Sequence, residues 1–284
     1  MNEEQRRREL GALLQSRRKL LRPEELGLNR GPRRRTPGLQ REEVALLSSV
    51  SVSWYTWIEQ GRKINPSPRI LSRIAKTLRL SEEERVYISL LAAGEPGNHR
   101  SLAVSCDSLS LASMQSILDG FTRIPAVLYN SRFDVVGANL AARAIHGFNL
   151  ATAGKWECNM LWRFFMDPDR RQMYPDGLSD RGIWNLIAAL RMNWAASSDG
   201  KAIEELIDQL RGVSQEFNAM WTRQEVGKLT RVAGQFRLRG VGGTMRVHHS
   251  RFVVPDKRGY AIAALVPADA QSSRILNTHL DRAC

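Results

Sequence analysis

The sequence predicts an all-α head joined by a short linker to an α+β domain with an antiparallel sheet. Three observations carry this expectation. Up to about residue 93, apolar residues recur at spacings of three and four between capping signals, the mark of short amphipathic helices. The stretch Gly94-Glu95-Pro96-Gly97-Asn98-His99-Arg100-Ser101 holds too much Gly, Pro and polar side chain to bury a face. Beyond it, two strand pairs flank a helical middle, an order that suits an α+β layer structure. The expected division is a head over 1–94, a linker over 95–108, an α+β domain over 109–270 and a C-terminal tail over 271–284.

In the head, Leu10, Leu13, Leu14, Arg17, Leu20 and Leu21 share one helical face, with the Arg17 stem able to lie along it, and Pro23 ends the run. An Arg, Gly and Pro-rich loop from Asn29 to Gly38 follows. A second helix is expected from about Gln40 to Ser48, and a third from about Val52 to Gln60, stopped by Gly61. Ser67 and Pro68 form an N-cap and first-turn pair for a fourth helix whose Ile70, Leu71, Ile74, Ala75 and Leu78 share a face. Ser81 with Glu84 makes a capping box for the fifth, to about Ala93. Five short helices in so few residues make a compact bundle.

Behind the linker, Ile124–Tyr129 and Phe133–Val136 are expected to pair as strands around Asn130-Ser131-Arg132. Thr244–Val254 and Gly259–Val266, around Pro255-Asp256-Lys257-Arg258, form a second hairpin that closes the sheet late in the chain. Helices are expected over Gly182–Trp194, Ile203–Leu210 and Ser214–Trp221.

The 284 residues carry a net charge of +13, and the head holds 19 Lys+Arg against 11 Asp+Glu, so the excess is concentrated there. Such a balance suits a phosphate-rich partner. No run of 18 apolar residues occurs and no leader-type apolar stretch follows the N-terminal arginines, so a cytoplasmic protein with no membrane partner is expected. Cys106, Cys158 and Cys284 are odd in number, far apart and outside any CxxC, which points to reduced thiols and away from a disulfide framework or a zinc site.

The segment Arg41–Gly61 carries the functional expectation. Two helices joined by a three-residue turn pack closely when a small residue sits at their crossing and apolar anchors follow at set offsets. Ala45 is that crossing residue, Ser49 lies in the turn, and Val50, Tyr55 and Ile58 point inward. On the wheel that Tyr55 and Ile58 define, Ser53, Thr56, Trp57 and Gln60 face away, toward a major groove where hydroxyls, an amide and an apolar ring can meet base edges. Gln40 and Arg41 at the start of the preceding helix, and Arg62 and Lys63 after the reading helix, are placed for phosphates, which fix register. The Arg33-Arg34-Arg35 run either tracks the backbone or is a solvated loop.

REEVALLSSVSVSWYTWIEQGR, preceded by RRRTPGL and followed by NPSPRIL and AKTLRLSEEER, resembles the head of the MmyB-like branch of the XRE/Cro helix-turn-helix regulators of bacteria, over residues 9–93. The resemblance departs at Ser49, where glycine is usual and where serine costs little as long as the turn residue keeps a negative φ. It departs again at Trp57, where a cation is frequent. Residues 111–267 are similar to the PAS-like ligand-binding domain that accompanies this head, through IPAVLYNSRFDVVGAN, CNMLWRFFMDPDRR and VSQEFNAMWTRQEV. There Cys158 replaces an arginine of the family's Arg-Asn pair and Gln224 a common histidine. The resemblance implies a transcription regulator acting as a homodimer on double-stranded DNA, and an apolar pocket whose occupant is a small effector such as a fatty-acid-like molecule.

The rear domain is rich in aromatic residues: Trp156, Trp162, Phe164 and Phe165, then Trp184, Trp194, Phe217 and Trp221. At helical spacing these are more often core than a ligand box. A small sheet closed by helices nevertheless tends to hold a cavity, and the wall candidates are Tyr129, Asn139, Asn159, Trp184, Phe217, Trp221 and His248. His248 and His249 alternate across a strand, so only one can point inward. The sequence has no phosphate-cradling loop ending in Lys-Ser/Thr, no HExxH and no GxSxG, and Gly240-Val241-Gly242-Gly243 is better explained as a turn. Asp167 and Asp169 around Pro168 look like a helix start, not paired acids. A non-enzymatic regulator is therefore expected, its rear domain either a sensor of a small apolar ligand or a ligand-free interaction and dimerisation module.

Overall fold

The computed structural model describes residues 1–28, 36–93, 111–151, 154–179, 181–197, 200–227, 233–238, 241–254 and 259–283. The expected linker 95–108, the run Arg33–Arg35 and the turn Pro255–Arg258 lie outside these residues. Backbone contacts group the chain into two units. One is Met1–His99 with the short segments Trp194–Gly200 and Trp221–Lys228; the other is the rest. Two pieces of the expected α+β domain thus group with the head.

The head contains helices α1 Glu3–Leu20, α2 Arg41–Leu47, α3 Val52–Glu59, α4 Pro68–Thr77 and α5 Glu82–Ala93, with a 3-10 turn at Pro23–Leu26. A reciprocal cap starts α1: Gln5 N donates to Asn2 Oδ1 and Asn2 N to Gln5 Oε1, each at 2.8 Å. The cationic last turn of Arg17, Arg18 and Lys19 suits the negative end of the helix. Leu10, Leu13 and Leu14 are buried as the spacing requires, whereas Leu20, expected on the same face, is 67% exposed at the helix end. Gly11 lets α1 cross α3 backbone to backbone, since a Cβ there would sit 2.4 Å from the Glu59 carbonyl oxygen. Ser67 stands at the N-cap of α4 with extended backbone but its side chain makes no capping bond. The expected box at α5 is present: Ser81 N donates to Glu84 Oε2 at 2.8 Å and Glu84 N to Ser81 Oγ at 3.3 Å.

The second unit is built on a five-stranded antiparallel sheet. Its strands are β1 Ala126–Tyr129, β2 Val135–Ala138, β3 Ala233–Arg237, β4 Thr244–Val253 and β5 Ala261–Pro267, in the order β2-β1-β5-β4-β3. β5, the last strand in sequence, enters between the two hairpins and joins them, through Leu128↔Ile262 on one side and Arg251↔Ala263 on the other. The helices are α6 Leu111–Asp119, α7 Leu140–His146, α8 Met160–Met166, α9 Pro168–Gln172, α10 Arg181–Ala196, α11 Gly200–Val213, α12 Gln215–Thr222 and α13 Ala270–Ala283. One sheet face packs Met114 and Leu118 of α6 against Leu128, Ile262 and Ala264. The other packs Phe236, Met245, Val247 and Leu265 against Ile145 of α7 and Leu276 and Leu280 of α13.

Helices α6, α7 and α8 add to the expected elements, and two further departures bear on the core. Residues 271–283 of the expected tail lie in the helix α13, which Asp269 caps by accepting from Ser272 N at 2.7 Å. Strand β3, not expected at all, forms because Phe236 fills the core while Gln235 and Arg237 stay exposed, a period of two too short to stand out. Among the described residues no helix is long and apolar enough to cross a membrane.

Candidate nucleic-acid interface and effector clefts

The turn between α2 and α3 is closed by Ser49 N donating to the Leu46 carbonyl at 3.1 Å and Val50 N to the Ala45 carbonyl at 2.9 Å. Ala45 is 1% exposed at the crossing, and Ser51 caps α3 by accepting from Trp54 N at 3.2 Å. Ser49 has φ 53°, so the condition under which a serine costs little there, a negative φ, is not met. The turn needs left-handed backbone, which a side-chain-bearing residue adopts at a penalty of about 1 kcal/mol.

Tyr55 and Ile58 are buried and Val50 half-buried, as expected for the inner side of α3. On the outer side Ser53, Trp57 and Gln60 are exposed and Thr56 is half-buried. Gln40, Arg62 and Lys63 are exposed as well. Three of these residues form one cluster: Arg62 Nε donates to Gln60 Oε1 at 3.0 Å, and its guanidinium lies 5.7 Å from the Trp57 ring. Arg62 thus supplies a cation beside the position where Trp57 departs from the family pattern.

Arg41 is not simply a free phosphate donor. Its Nε donates to Glu59 Oε2 at 2.7 Å, and Glu59 also receives Arg18 Nε at 2.5 Å and Nη2 at 3.0 Å. The Glu59 side chain is fully buried, and Arg18 Nη1 reaches the Leu39 carbonyl at 2.8 Å. Burial opposes ionisation of Glu59, but the bonds and charge of Arg18 outweigh it and hold the carboxyl below the ordinary carboxylate range. This network bolts α1, α2 and α3 together. Sequence reasoning missed Glu59 because a glutamate near the end of a helix reads as surface.

The seven wall candidates do not converge on one cavity, and Trp221 groups with the first unit. The amides of Asn139 and Asn159 are used inside the chain. Asn139 Oδ1 accepts from Ala126 N and Ala142 N, and its Nδ2 donates to the Phe121 and Ile124 carbonyls. Asn159 Nδ2 donates to the Arg132 carbonyl and Asp134 Oδ1, and its Oδ1 accepts from Trp162 N. Tyr129 is buried, its hydroxyl accepts from Arg251 Nε at 2.9 Å, and burial pushes its phenol up. Phe217 is fully buried with its ring 5.4 Å edge-on to Phe165, and Trp221 lies 6.0 Å from Trp194. Trp184 is half-buried. Phe217 and Phe165 belong to a packed aromatic core that continues through Phe164, Tyr174 and Phe236 to His146.

Of the two adjacent histidines it is His249 that turns into this core, 6.2 Å from the Phe236 ring. Burial, and then the charge of Arg170, push its pKa down to about 4. His146 is lowered for the same two reasons, in the same order, and Arg170 hydrogen-bonds it. His248 instead lines an open cleft of about 440 Å³ with Asp176, Ser179, Arg181, Gln235 and Arg246. A second cleft, of about 290 Å³, is lined by Gly147, Cys158, Trp162, Arg163, Met166 and Asp167, among others. Burial pushes the Cys158 thiol up, so it is a poor nucleophile.

Comparison with known families matches residues 9–87 to a helix-turn-helix domain and residues 112–278 to the MmyB-like transcription regulator ligand binding domain. No curated protein matches significantly. The second match spans more than half the chain, and the first falls on the helices whose turn and outer face are described above. The chain therefore belongs to the MmyB-like transcription regulators, with a helix-turn-helix DNA-binding domain ahead of a ligand-binding domain.

Proposed function

We propose that α3 reads operator DNA through Ser53, Thr56, Trp57 and Gln60, with Gln40, Arg41, Arg62 and Lys63 on phosphates. The observation that carries this reading is the two-sidedness of α3. Tyr55, Ile58 and Glu59 lock one side into the bundle, and the other presents Trp57, Gln60 and Arg62 as a joined polar and aromatic surface. The protein acts as a cytoplasmic homodimer on a two-fold site. Its second unit senses a small apolar effector and alters the relation of two reading helices that must sit about 34 Å apart.

Anisotropy titrations with duplexes selected from random DNA test the reading. Affinity should fall steeply with salt, and Lys63→Ala should weaken all sequences about equally, lowering the salt slope by about 1. Thr56→Ala and Gln60→Ala should change base preference instead, by about 1–3 kcal/mol at the contacted position. Salt-independent binding, or variants that leave sequence preference intact, would count against it. Phe252 and Val253, 49% and 60% exposed, support a second reading in which the rear unit is a ligand-free interaction module. That reading expects no thermal shift across a small-molecule panel and a dimer lost on Phe252→Asp.

A further inference from the structure

The turn that ends α3 folds the chain back so that Arg62 meets the outer side of the helix. Gly61 N donates to the Ile58 carbonyl and Arg62 N to the Trp57 carbonyl, each at 3.0 Å, the paired bonds of a Schellman stop. That stop needs left-handed backbone just outside the helix, and Gly61 supplies it with φ 65°. In this motif the residue after the glycine lies against the side chain five positions earlier, usually as a contact of two apolar groups. Here the pair is Arg62 and Trp57, and the contact is a guanidinium 5.7 Å from an indole ring.

Gln60 holds the same side chain from one edge, through Arg62 Nε donating to Gln60 Oε1 at 3.0 Å. Among the described residues no carboxylate pairs with Arg62, and its bond to Gln60 leaves Nη1 and Nη2 for an outside acceptor. Trp57 is 39% exposed, and Gln60 and Arg62 are exposed as well. The three side chains therefore present one supported guanidinium on the side of α3 that the bundle leaves open.

Neutralising a phosphate needs no such support, because a charge on a flexible stem suffices. The neighbouring Lys63, exposed and without a ring or an amide holding it among the described residues, is of that kind. A base edge asks for more. Guanine presents O6 and N7 side by side in the major groove, and a planar guanidinium meets both only when its plane is correctly set. Holding the side chain beforehand also removes rotamer entropy that would otherwise be lost on binding.

We infer that Arg62 reads a guanine of the operator, its terminal nitrogens donating to O6 and N7, with Trp57 as the ring on which it lies and Gln60 as the group that sets its angle. The inference rests on the α3 reading above and changes one part of it. Arg62 passes from the phosphate set to the base-reading set, and Trp57 and Gln60 act on sequence through it as positioning residues.

Anisotropy titrations of the full chain on a selected operator, with each guanine replaced in turn by 7-deazaguanine, test it. That base pairs normally but lacks the N7 acceptor. Replacement at the guanine that Arg62 reads should weaken binding about fivefold or more, the low end of what a two-bond base contact is worth. Arg62→Ala should abolish this penalty. Arg62→Lys, which keeps the charge and loses the fork, should retain only part of it, and serves should the alanine variant fail to fold. Trp57→Ala and Gln60→Ala should each reduce the penalty at that same guanine, Trp57→Phe should restore most of it, and neither alanine should add to Arg62→Ala. A penalty lost in Arg62→Ala but intact in Trp57→Ala and Gln60→Ala overturns the two supporting roles. An operator with no sensitive guanine, or a penalty unchanged in both Arg62 variants, overturns the inference. If Arg62→Ala then weakens all duplexes about equally and lowers the salt slope by about 1, Arg62 holds a phosphate and the α3 reading stands. If Thr56→Ala and Gln60→Ala also leave sequence preference intact, it is the α3 reading that has failed.

Discussion

Glu59 is the residue on which the head depends most. It accepts from two arginines on two other helices while fully buried itself. Removing one member of such a network strands the others, so Glu59→Ala should lower the head's stability by about 3–5 kcal/mol. Its folded pKa lies below the unfolded value, so its contribution is fully present above the unfolded pKa of about 4.3 and is lost as pH falls through the folded one. Urea melts of the full chain between neutral pH and pH 3 should show the head transition weakening in acid, and Glu59→Gln should flatten that dependence. Ser49 gives the opposite case. With φ at 53°, Ser49→Gly relieves the left-handed penalty and should raise stability by about 0.5–1 kcal/mol, read as a shift in the urea midpoint at constant slope. A loss of stability would mean that the serine side chain contributes something the backbone angle does not reveal.

At the scale of elements, α3 and α13 show how differently two helices can be encoded. α3 has its caps, its anchors and its outer face within one short stretch, so its role could be argued from Arg41–Gly61 alone. α13 has only Ile275, Leu276 and Leu280 as large apolar residues, too few for a periodicity argument, and its start depends on the Asp269 side chain. Its identity as a core helix comes from what it covers: Leu276 and Leu280 close the sheet face formed by Phe236, Met245, Val247 and Leu265. Leu276→Ala should therefore destabilise the second unit by about 2–5 kcal/mol, as a buried leucine does and a tail residue would not. Near-UV circular dichroism of the aromatic core checks this, and an unchanged melt would return the segment to a dispensable tail. β3 belongs with α13, because its one core side chain, Phe236, is recognised as buried only through its pairing with β4 and its contacts with Tyr174 and His146.

For the whole molecule, the proposed regulation requires that occupancy of the second unit bias the disposition of two heads in a dimer, and an effector could shift that balance only by its differential affinity for the two arrangements. Much of this organisation was legible beforehand. Local rules, which act over a few residues, determined the five head helices, the turn around Ser48–Val50, the outward set on α3, both hairpins and the all-α then α+β order. The resemblance to MmyB-like regulators rested on the same contiguous stretches. Tertiary structure decided what depends on distant residues meeting: the left-handed angle at Ser49, the Arg18–Glu59–Arg41 bolt, the packing of α13, the turn of His249 rather than His248 into the core, and the use of Asn139 and Asn159 as backbone clamps. The physical reason is the range of the forces involved. Capping and amphipathic periodicity are written into neighbours in sequence, whereas a polar side chain's partner, and so its role as clamp, bolt or unsatisfied donor, is set by chain segments that only folding brings together.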